Sequence, residues 1–172
     1  MRPKRLKRTL PDYIRPELKI LFVGFNPGMR SARIRHQYAG LNNQFWRLLH
    51  DAGLVPLLLK AEQDRQVLKY GLGLTNVSDR PTPSCSDLTW EDYERGRKEL
   101  LSKLLRHRPR AVCFNGKTAY ERIACRPCRL GPQRERLAGC RCFVAPSSSA
   151  ANAAIPYRAK LAHFRRLARW AT

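Results

Sequence analysis

The amino-acid sequence predicts an α/β fold, a three-layer α/β/α domain with a short, mainly parallel central sheet. Three apolar runs of strand length carry that prediction: KILFV (19–23), RAVCFNG (110–116) and CRCFVA (140–145). Each run ends in a turn rich in Gly, Asn, Pro or Ser, and helical patterns separate the runs. Continuous apolar strands that alternate with helices are typical of a parallel sheet covered on both faces.

The chain length favours a single domain. Its 172 residues are enough for one core of ordinary size and too few for two comfortable domains. Residues 1–18, which are rich in Lys and Arg and bounded by Pro, are predicted as a basic N-terminal arm. Residues 19–172 are predicted as one domain.

The first strand is followed by two helical segments and a short strand. NNQFWRLLHDAGL has apolar residues at helical spacing, with Asn42 or Asn43 placed to cap the helix and Gly53 to end it. LLLKAEQDRQVLKYG (57–71) is the second helical segment. LGLTN then indicates a short strand that runs into a Pro-rich loop.

The clearest helix is predicted over LTWEDYERGRKELLSKLLRH (88–107). Thr89 suits the N-cap, and acidic residues fill the first turn. One face of this helix is predicted to carry Trp90, Tyr93, Arg97, Leu100, Leu101 and Leu104. Trp90 and Trp46 are both expected in the core.

Two further helices complete the prediction. A short helix is expected over Lys117–Ala124, and YRAKLAHFRRLARW closes the chain as an amphipathic helix. Its inward face is predicted to be Leu161, Phe164, Leu167 and Ala168. Its solvated face is predicted to be Arg165, Arg166 and Arg169.

The charge balance indicates a polyanionic partner. The chain has 34 Lys plus Arg against 13 Asp plus Glu, a net charge of +21, whereas 43% hydrophobic residues exclude a disordered basic tail. Nucleic acid is the commonest polyanion in a cell, and an arginine bias without function is the alternative. No apolar run is long enough to span a membrane, and the N-terminus lacks the apolar region of a secretory signal. We therefore expect an intracellular protein of the cytoplasm or nucleoid, without disulfides.

The turns that follow the strands lack the motifs of several enzyme classes. The sequence contains no phosphate-binding GK[ST] loop and no HExxH, and its four histidines lie in unrelated segments. The serines at 147–149 are not flanked by the glycines of a hydrolase nucleophile elbow. No pair of catalytic carboxylates is visible in these turns, which disfavours a sugar or nucleotide hydrolase.

Neutral hydrogen-bonding groups follow the strands instead. The carboxyl ends of parallel strands meet at one edge of the sheet, where such folds bind ligands. That edge is predicted to gather Asn26, Asn76, Thr82, Asn115, Ser147 and Ser149, with backbone amides exposed at Gly28 and Gly116. A polar, uncharged pocket of this kind suits reading the edge of a nucleobase and stabilising a departing anionic base.

Four of the six cysteines have spacings that a structural zinc could use. Cys125 and Cys128 form CRPC, and Cys140 and Cys142 form CRC. The alternative is that Cys142 is an ordinary buried strand thiol.

Five ordered motifs resemble the mismatch-specific uracil/thymine-DNA glycosylases of the uracil-DNA glycosylase superfamily. They are GFNPG, HQYAGLNNQFW, TNVSDRPTP, FNGKTAYE and VAPSSSA, and the resemblance runs from about Leu10 to the C-terminal helix. It implies a monofunctional, monomeric glycosylase that flips uracil out of double-stranded DNA at G·U or related mispairs and excises it. Thymine and other altered pyrimidines opposite guanine are the further substrates that the resemblance suggests. It implies no cofactor for the chemistry.

The resemblance also implies roles for individual residues. Asn26 falls on the catalytic asparagine that positions the attacking water. Gly28 falls where the backbone approaches the base, and Tyr38 where an aromatic ring stacks on it. Asn76 and Thr82 fall on a loop that reaches the base. Further implied contacts are Phe25, Ser31 and Ser147 in the base pocket, where Ser31 falls on the pocket wall. Lys117, Ser149 and Ala150 are implied to contact DNA, and Ser147 shares the motif that presses on the DNA backbone.

The sequence departs from the family pattern at two places. Phe25 lies where members more often carry an aliphatic residue, which we interpret as core packing. Some members carry a bulky wedge residue after PSSSA, but here Ala151 is followed by Asn152, so either Asn152 inserts or reading of the opposite strand is weak. Ser31 and Gln37 fall near the 5-position of the base, where a polar wall favours uracil over thymine. A non-catalytic nucleic-acid-binding module on the same basic fold is the competing hypothesis.

Overall fold

The computed structural model describes residues 10–172, and it forms a five-stranded sheet with helices on both faces. The strands are β1 Ile20–Gly24, β2 Leu72–Asn76, β3 Ala111–Asn115, β4 Gly131–Pro132 and β5 Arg141–Ala145. Their order is β2-β1-β3-β5-β4, and only β4 runs antiparallel to its neighbour. The predicted mainly parallel sheet is confirmed.

Of the five α-helices formed by residues 10–172, four lie close to predicted ones, whereas the first was not predicted. They are α1 Met29–Ile34, α2 Phe45–Asp51, α3 Trp90–His107, α4 Lys117–Ala124 and α5 Tyr157–Trp170. The segment predicted as a helix over 57–71 is a 3₁₀ helix, Ala61–Tyr70, that ends at Gly71 with a positive φ of 75°. The predicted N-cap of α3 is confirmed, since the Thr89 side chain accepts the Asp92 amide. The N-cap of α2 is Gln44 rather than the predicted Asn42 or Asn43, although Asn43 Oδ1 accepts the Phe45 amide.

The strand side chains point alternately to two hydrophobic clusters. Ile20 and Phe22 face the cluster that contains α2, the 3₁₀ helix and α5, whereas Leu21 and Val23 face α3 and α4. Because both faces of every long strand are covered, the strands read as continuous apolar runs rather than as alternating ones. This is the predicted three-layer α/β/α arrangement.

Residues 10–18 belong to the segment predicted as a basic arm, and they lie against the sheet. Tyr13 pairs with Leu74 through two backbone hydrogen bonds of 2.9 and 3.0 Å, and Leu18 is completely buried. The rest of that predicted arm, residues 1–9, lies outside the described residues.

The prediction for Trp90 was wrong. Trp46 is buried, as expected, but Trp90 is 70% exposed. It is the first residue of α3, and the buried residues of that helix begin at Asp92. Helical spacing predicts which face of a helix a side chain shares, but it does not predict where the helix begins to pack on the sheet. A side chain in the first turn can therefore lie on the buried face and still be exposed.

No helix among the described residues, 10–172, is long and apolar enough to cross a membrane.

Candidate active site at the carboxyl edge of the sheet

The parallel strands bring the polar turns to one edge, as the sequence predicts. β1 ends two residues before Asn26, β2 ends at Asn76 and β3 ends at Asn115, while β5 ends two residues before Ser147. The register pairs Gly24 with Asn76 across β1 and β2. The edge is therefore lined by amides and hydroxyls delivered by four neighbouring strands.

Asn26 has an amide orientation that its neighbours determine. Its Nδ2 donates to the carbonyl oxygen of Arg80 at 2.9 Å and to Thr82 Oγ1 at 2.6 Å. A carbonyl oxygen can only accept, so the atom facing it must be the nitrogen. Thr82 Oγ1 gives its own proton to the Ser84 carbonyl at 2.6 Å, which leaves a lone pair for Asn26. Asn26 Oδ1 is the remaining atom; within residues 10–172 it has no hydrogen-bond partner, and it is not a buried atom.

An ion pair anchors the loop that holds Asn26. Arg80 contacts Asp92 Oδ2 through two nitrogens at 2.9 and 2.7 Å and donates to the Asp87 carbonyl at 2.6 Å. Burial raises the pKa of Asp92, but the hydrogen bonds from the Thr89 backbone and from Arg80 outweigh it, so the pKa lies below its ordinary value. Asp92 also belongs to the N-terminal cap of α3. The Arg80 residue whose carbonyl orients Asn26 is therefore bonded through Asp92 to the start of the longest helix.

Tyr38 lies beside this edge in a left-handed backbone conformation, with φ of 53°. Its ring stacks on Phe45 with centroids 3.8 Å apart, and its hydroxyl is buried without a partner among the described residues. Burial raises the pKa of Tyr38 far above its ordinary value. A Cβ at Gly24 would lie 2.5 Å from Asn76 Oδ1 and 3.1 Å from the Tyr38 hydroxyl oxygen, so glycine is required there.

Asn76 is the end of a second oriented chain of amides. Gln37 Nε2 donates to the Pro11 carbonyl at 3.1 Å, which fixes Gln37 Oε1 as the acceptor for Asn76 Nδ2 at 3.1 Å. The backbone amide of Gln37 donates to Asp64, a carboxylate that is 1% exposed. Hydrogen bonds to Pro11 and Asp64 therefore fix the position of Gln37, and Gln37 in turn orients the Asn76 side chain.

Asn115 forms a third network, with the serine turn. Its Oδ1 accepts the Ser148 amide at 3.0 Å and its Nδ2 donates to Ser148 Oγ at 2.9 Å. Ser148 Oγ donates in turn to Asn43 Oδ1 at 2.9 Å. Ser148 is completely buried, and sequence reasoning missed it because three consecutive serines carry no signal of which one points inward.

The rest of the serine turn is bonded within itself and to a buried lysine. Ser147 Oγ accepts the Ser149 amide at 3.2 Å, and Asn152 Nδ2 donates back to the Ser147 carbonyl at 3.1 Å. Lys160 is 2% exposed and donates to Gln44 Oε1 at 3.0 Å and to the Ser149 carbonyl at 3.5 Å. Ala150 and Ala151 are exposed at the tip. The structure thus places Asn152 against its own loop.

The remaining predicted site residues are distributed around the edge. Ser31 is buried, and its Oγ accepts the Ala39 amide at 2.9 Å, which supports the turn that carries Tyr38. Phe25 is half-buried and packs edge-on against Tyr93 at 5.6 Å. Gly28 and Lys117 are exposed, and a Cβ added at Gly28 would meet nothing within 4 Å. The structure therefore leaves open space beside Gly28.

A cavity of about 290 Å³ borders this edge on the side of Pro27 and Asn76. Its other wall carries the charged residues Asp12, Asp79, Glu99 and Lys103. Lys103 pairs with Asp12 at 2.6 Å. These charges come from four separate segments, so no single motif of the sequence indicates them.

The predicted four-cysteine zinc site is not formed. No group of three or more His, Cys, Asp or Glu residues between 10 and 172 is arranged to hold a metal ion. Cys140 and Cys142 are buried in the core, where burial raises the pKa of the Cys142 thiol to about 11, whereas Cys125 is exposed. Cys128 Sγ lies 3.7 Å from Glu121 and 3.9 Å from the Lys117 carbonyl. The spacing of the four cysteines suits a zinc site, but the thiols of Cys140 and Cys142 point into the core.

Comparison with known proteins agrees with this architecture. The family model described as the uracil DNA glycosylase superfamily matches residues 11–171. A solution NMR structure from Methanosarcina acetivorans, described as a "putative Uracil DNA glycosylase", is 29% identical, with a TM-score of 0.63. The alignment covers 94% of this chain and 98% of that one. The chain belongs to the uracil DNA glycosylase superfamily.

Proposed function

We propose that this protein is a monofunctional, monomeric DNA glycosylase that removes uracil mispaired with guanine by flipping the nucleotide out of the duplex. Glycosylases of this family are hydrolases that need no cofactor for catalysis. The observation that carries the proposal is the orientation of Asn26. Both amide hydrogens of Asn26 have protein acceptors, at Arg80 and Thr82, so its Oδ1 is the atom available to a water molecule.

The reaction follows from that geometry and from the chemistry of the bond. The bond between C1′ and N1 of the nucleotide breaks, and its electron pair leaves with the base as an anion. The sugar becomes oxocarbenium-like, as in glycoside hydrolysis. The water held by Asn26 Oδ1 adds its oxygen to C1′ and loses a proton to solvent, giving an abasic site and the uracil anion. The anion takes up a proton from solvent to give uracil. Because the base leaves as a stabilised anion, no carboxylate is needed at C1′.

The neutral amides of the edge are suited to the base itself. Uracil presents two carbonyl acceptors and one N–H donor, and Asn76 offers both an acceptor and a donor next to Gly24. We propose that Tyr38 supplies an aromatic surface beside the base and that Thr82, Phe25 and Gly28 border the same space. Flipping is required because the glycosidic carbon is inaccessible inside the stack.

Uracil is proposed as the preferred base over thymine. Ser31 and Gln37 are both buried and held by hydrogen bonds to the backbone of neighbouring segments. A wall fixed in this way has little freedom to move aside for the 5-methyl group of thymine. The serine turn with Lys117, Ser149, Ala150, Ala151 and Asn152 is proposed to press on the DNA backbone.

The test is a base-release assay on the purified protein. Matched oligonucleotides would carry U or T opposite G or A, or U in a single strand, and abasic sites would be revealed by alkaline cleavage. Faster release from G·U than from G·T and A·U is expected. Comparable rates on G·U and G·T would contradict the base preference, and saturable DNA binding without release of any base would favour the non-catalytic binding module.

A further inference from the structure

A second, larger cavity lies at the opposite edge of the sheet, where the parallel strands begin. It has a volume of about 420 Å³. Four of its lining residues are cationic: Arg15, Lys19, Lys69 and Arg110. Five strand residues separate this edge from the candidate active site, a distance of about 17 Å. A ligand in this cavity would therefore not occupy the active site.

The strand register builds this cluster of cations. Lys19 and Arg110 each come directly before a strand, and the residues that follow them, Ile20 and Ala111, are paired across the sheet. The backbone amide of Arg110 donates to the Leu18 carbonyl at 2.8 Å, and that of Lys19 donates to Gly71 at 2.7 Å. The two cations are thus brought together by the backbone rather than by attraction to an acid.

The remaining two cations join from a neighbouring turn. Arg15 donates to the carbonyl of Leu68 at 3.2 Å, which places it beside Lys69 at the end of the 3₁₀ helix. Gly71 closes that turn with a φ of 75°, and a Cβ there would lie 3.0 Å from Lys19 Cγ. The stem of Lys19 therefore lies over a glycine, a packing that a larger residue would disturb.

The charges of this cavity are not balanced by the protein. Glu17 is the single carboxylate among its lining residues. None of the ion pairs formed within residues 10–172 involves any of the four cations or Glu17. Four like charges around one concavity repel one another and focus the field on an incoming anion.

An apolar wall completes the cavity. Leu54 and Tyr70 line it, and both are partly buried against the core. An aromatic ring beside several cations is an arrangement suited to a nucleotide, whose phosphates bind the cations and whose base or sugar lies against the ring. The volume is also in the range of pockets that bind small molecules, about 300–1,000 Å³.

We propose that this amino-edge cavity is a second phosphate-binding site that takes one nucleotide-sized phosphorylated group. The group comes either from a free nucleotide or polyphosphate or from a nucleic-acid strand distant from the active site. Both sources share the chemistry of phosphate oxygens with Arg and Lys. The proposal does not depend on which base the carboxyl edge removes.

The test compares two variants of equal charge. In the cavity variant, Lys19, Lys69 and Arg110 are each changed to Gln. In the control variant, Lys98, Arg129 and Arg134 are changed to Gln; these are exposed, line neither cavity and form no ion pair within the described residues. Binding of pyrophosphate, of dAMP and of a short single strand without uracil would be measured by calorimetry near physiological salt. At that salt, charges more than about 8 Å from a ligand are largely screened.

The cavity variant is expected to bind pyrophosphate or the short strand at least tenfold more weakly than wild type, and the control variant less than twofold more weakly. Loss confined to pyrophosphate and dAMP identifies a free phosphorylated ligand, whereas loss confined to the strand identifies nucleic acid. Equal losses in the two variants, or no saturable binding of any of the three probes by wild type, would overturn the proposal.

Equal thermal midpoints, and equal rates of base release from a short G·U duplex, would show that the cavity variant is folded and that the active site is separate. If the triple change unfolds the protein, the single variants Lys69→Gln and Arg110→Gln provide the same comparison against Lys98→Gln.

Discussion

The two edges of the sheet carry opposite kinds of polar chemistry. At the carboxyl edge the groups that directly follow the strands are neutral amides and hydroxyls, and Asn26, Asn76 and Asn115 are each oriented by named partners. At the amino edge, Lys19, Lys69 and Arg110 surround a cavity without ion-pair partners among the described residues. The carboxyl edge holds neutral side chains in fixed orientations, whereas the amino edge concentrates positive charge.

This contrast explains how a chain of charge +21 can have neutral side chains as the candidate reacting groups of its active site. The long-range electrostatic field of the protein raises the local concentration of a polyanion, but it does not fix the position of a water molecule. An amide held by two acceptors needs no reorganisation when the reaction occurs, which is the source of electrostatic preorganisation in enzymes. The difference between the edges predicts where a substitution changes rate, where it changes stability and where it changes neither.

Apart from substitution of Asn26 itself, the largest effect on the rate is expected at Thr82. Thr82→Val removes the hydroxyl that accepts Asn26 Nδ2 at 2.6 Å while keeping nearly the same volume. The amide then keeps only the Arg80 carbonyl as an acceptor, so Oδ1 is held less firmly and single-turnover release of uracil should fall about tenfold. Thr82→Ser retains the hydroxyl and is the control. A wild-type rate in Thr82→Val would break the link between amide orientation and activity.

The next effect is on stability, at the ion pair that anchors the Asn26 loop. Asp92→Asn should lower the free energy of unfolding by about 2 kcal/mol at neutral pH, because it weakens the α3 cap and the contact with Arg80. The pKa of Asp92 is depressed in the folded protein, so its contribution is present above about pH 3.9 and is lost as the pH falls through the folded-state pKa.

Urea unfolding of wild type and Asp92→Asn across a pH series would measure this contribution. The difference between the two proteins should shrink below about pH 4. Glu91→Gln, an exposed first-turn acid of the same helix, is the matched control and should cost only a few tenths of a kcal/mol. A difference that grows in acid would contradict the assignment.

A smaller effect should separate two adjacent serines of the serine turn. Ser148→Ala leaves Asn115 Nδ2 without its acceptor in a buried network and should cost about 1–2 kcal/mol of unfolding free energy. Ser147→Ala loses one 3.2 Å bond on a half-buried residue and should cost within about 0.5 kcal/mol. Thermal denaturation compares the two directly, and the reverse order would mean that the turn is packed differently.

The smallest effect on stability is expected at the amino edge. Lys69→Gln and Arg110→Gln remove exposed cations without ion-pair partners among residues 10–172, so each should change the unfolding free energy by less than about 0.5 kcal/mol. Relief of like-charge repulsion should make the change slightly stabilising at low salt. Urea unfolding at two ionic strengths checks the sign, and a clear destabilisation would show that these cations hold the fold together.

Much of the fold could be predicted from the sequence because its signals are local. Continuous apolar runs mark the strands, and the helix over Lys117–Ala124 was predicted with the observed bounds. The gathering of Asn26, Asn76 and Asn115 at one edge then follows from parallel topology alone. A rule that depends only on strand direction needs no knowledge of how side chains pack.

What the sequence could not predict is how the side chains of the turns are oriented. Arg80 and Asp92 lie on either side of a loop and read separately as surface charges, although together they anchor Asn26. Lys160 looks like an exposed helix residue, yet it is buried under the serine turn. The zinc-site prediction for the four cysteines was wrong for the same reason, because spacing along the sequence does not determine the direction in which a thiol points.

The central claim is that Asn26 acts by placement rather than by charge or by holding DNA. Single-turnover release of uracil from a G·U duplex, measured together with DNA affinity, tests it in wild type, Asn26→Ala and Asn26→Asp. We predict that Asn26→Ala lowers the rate at least about 100-fold with DNA affinity within about twofold of wild type. Asn26→Asp should also be slow, because a carboxylate cannot donate to the Arg80 carbonyl. A wild-type rate in Asn26→Ala, or a loss of rate that only follows loss of DNA binding, would contradict the account.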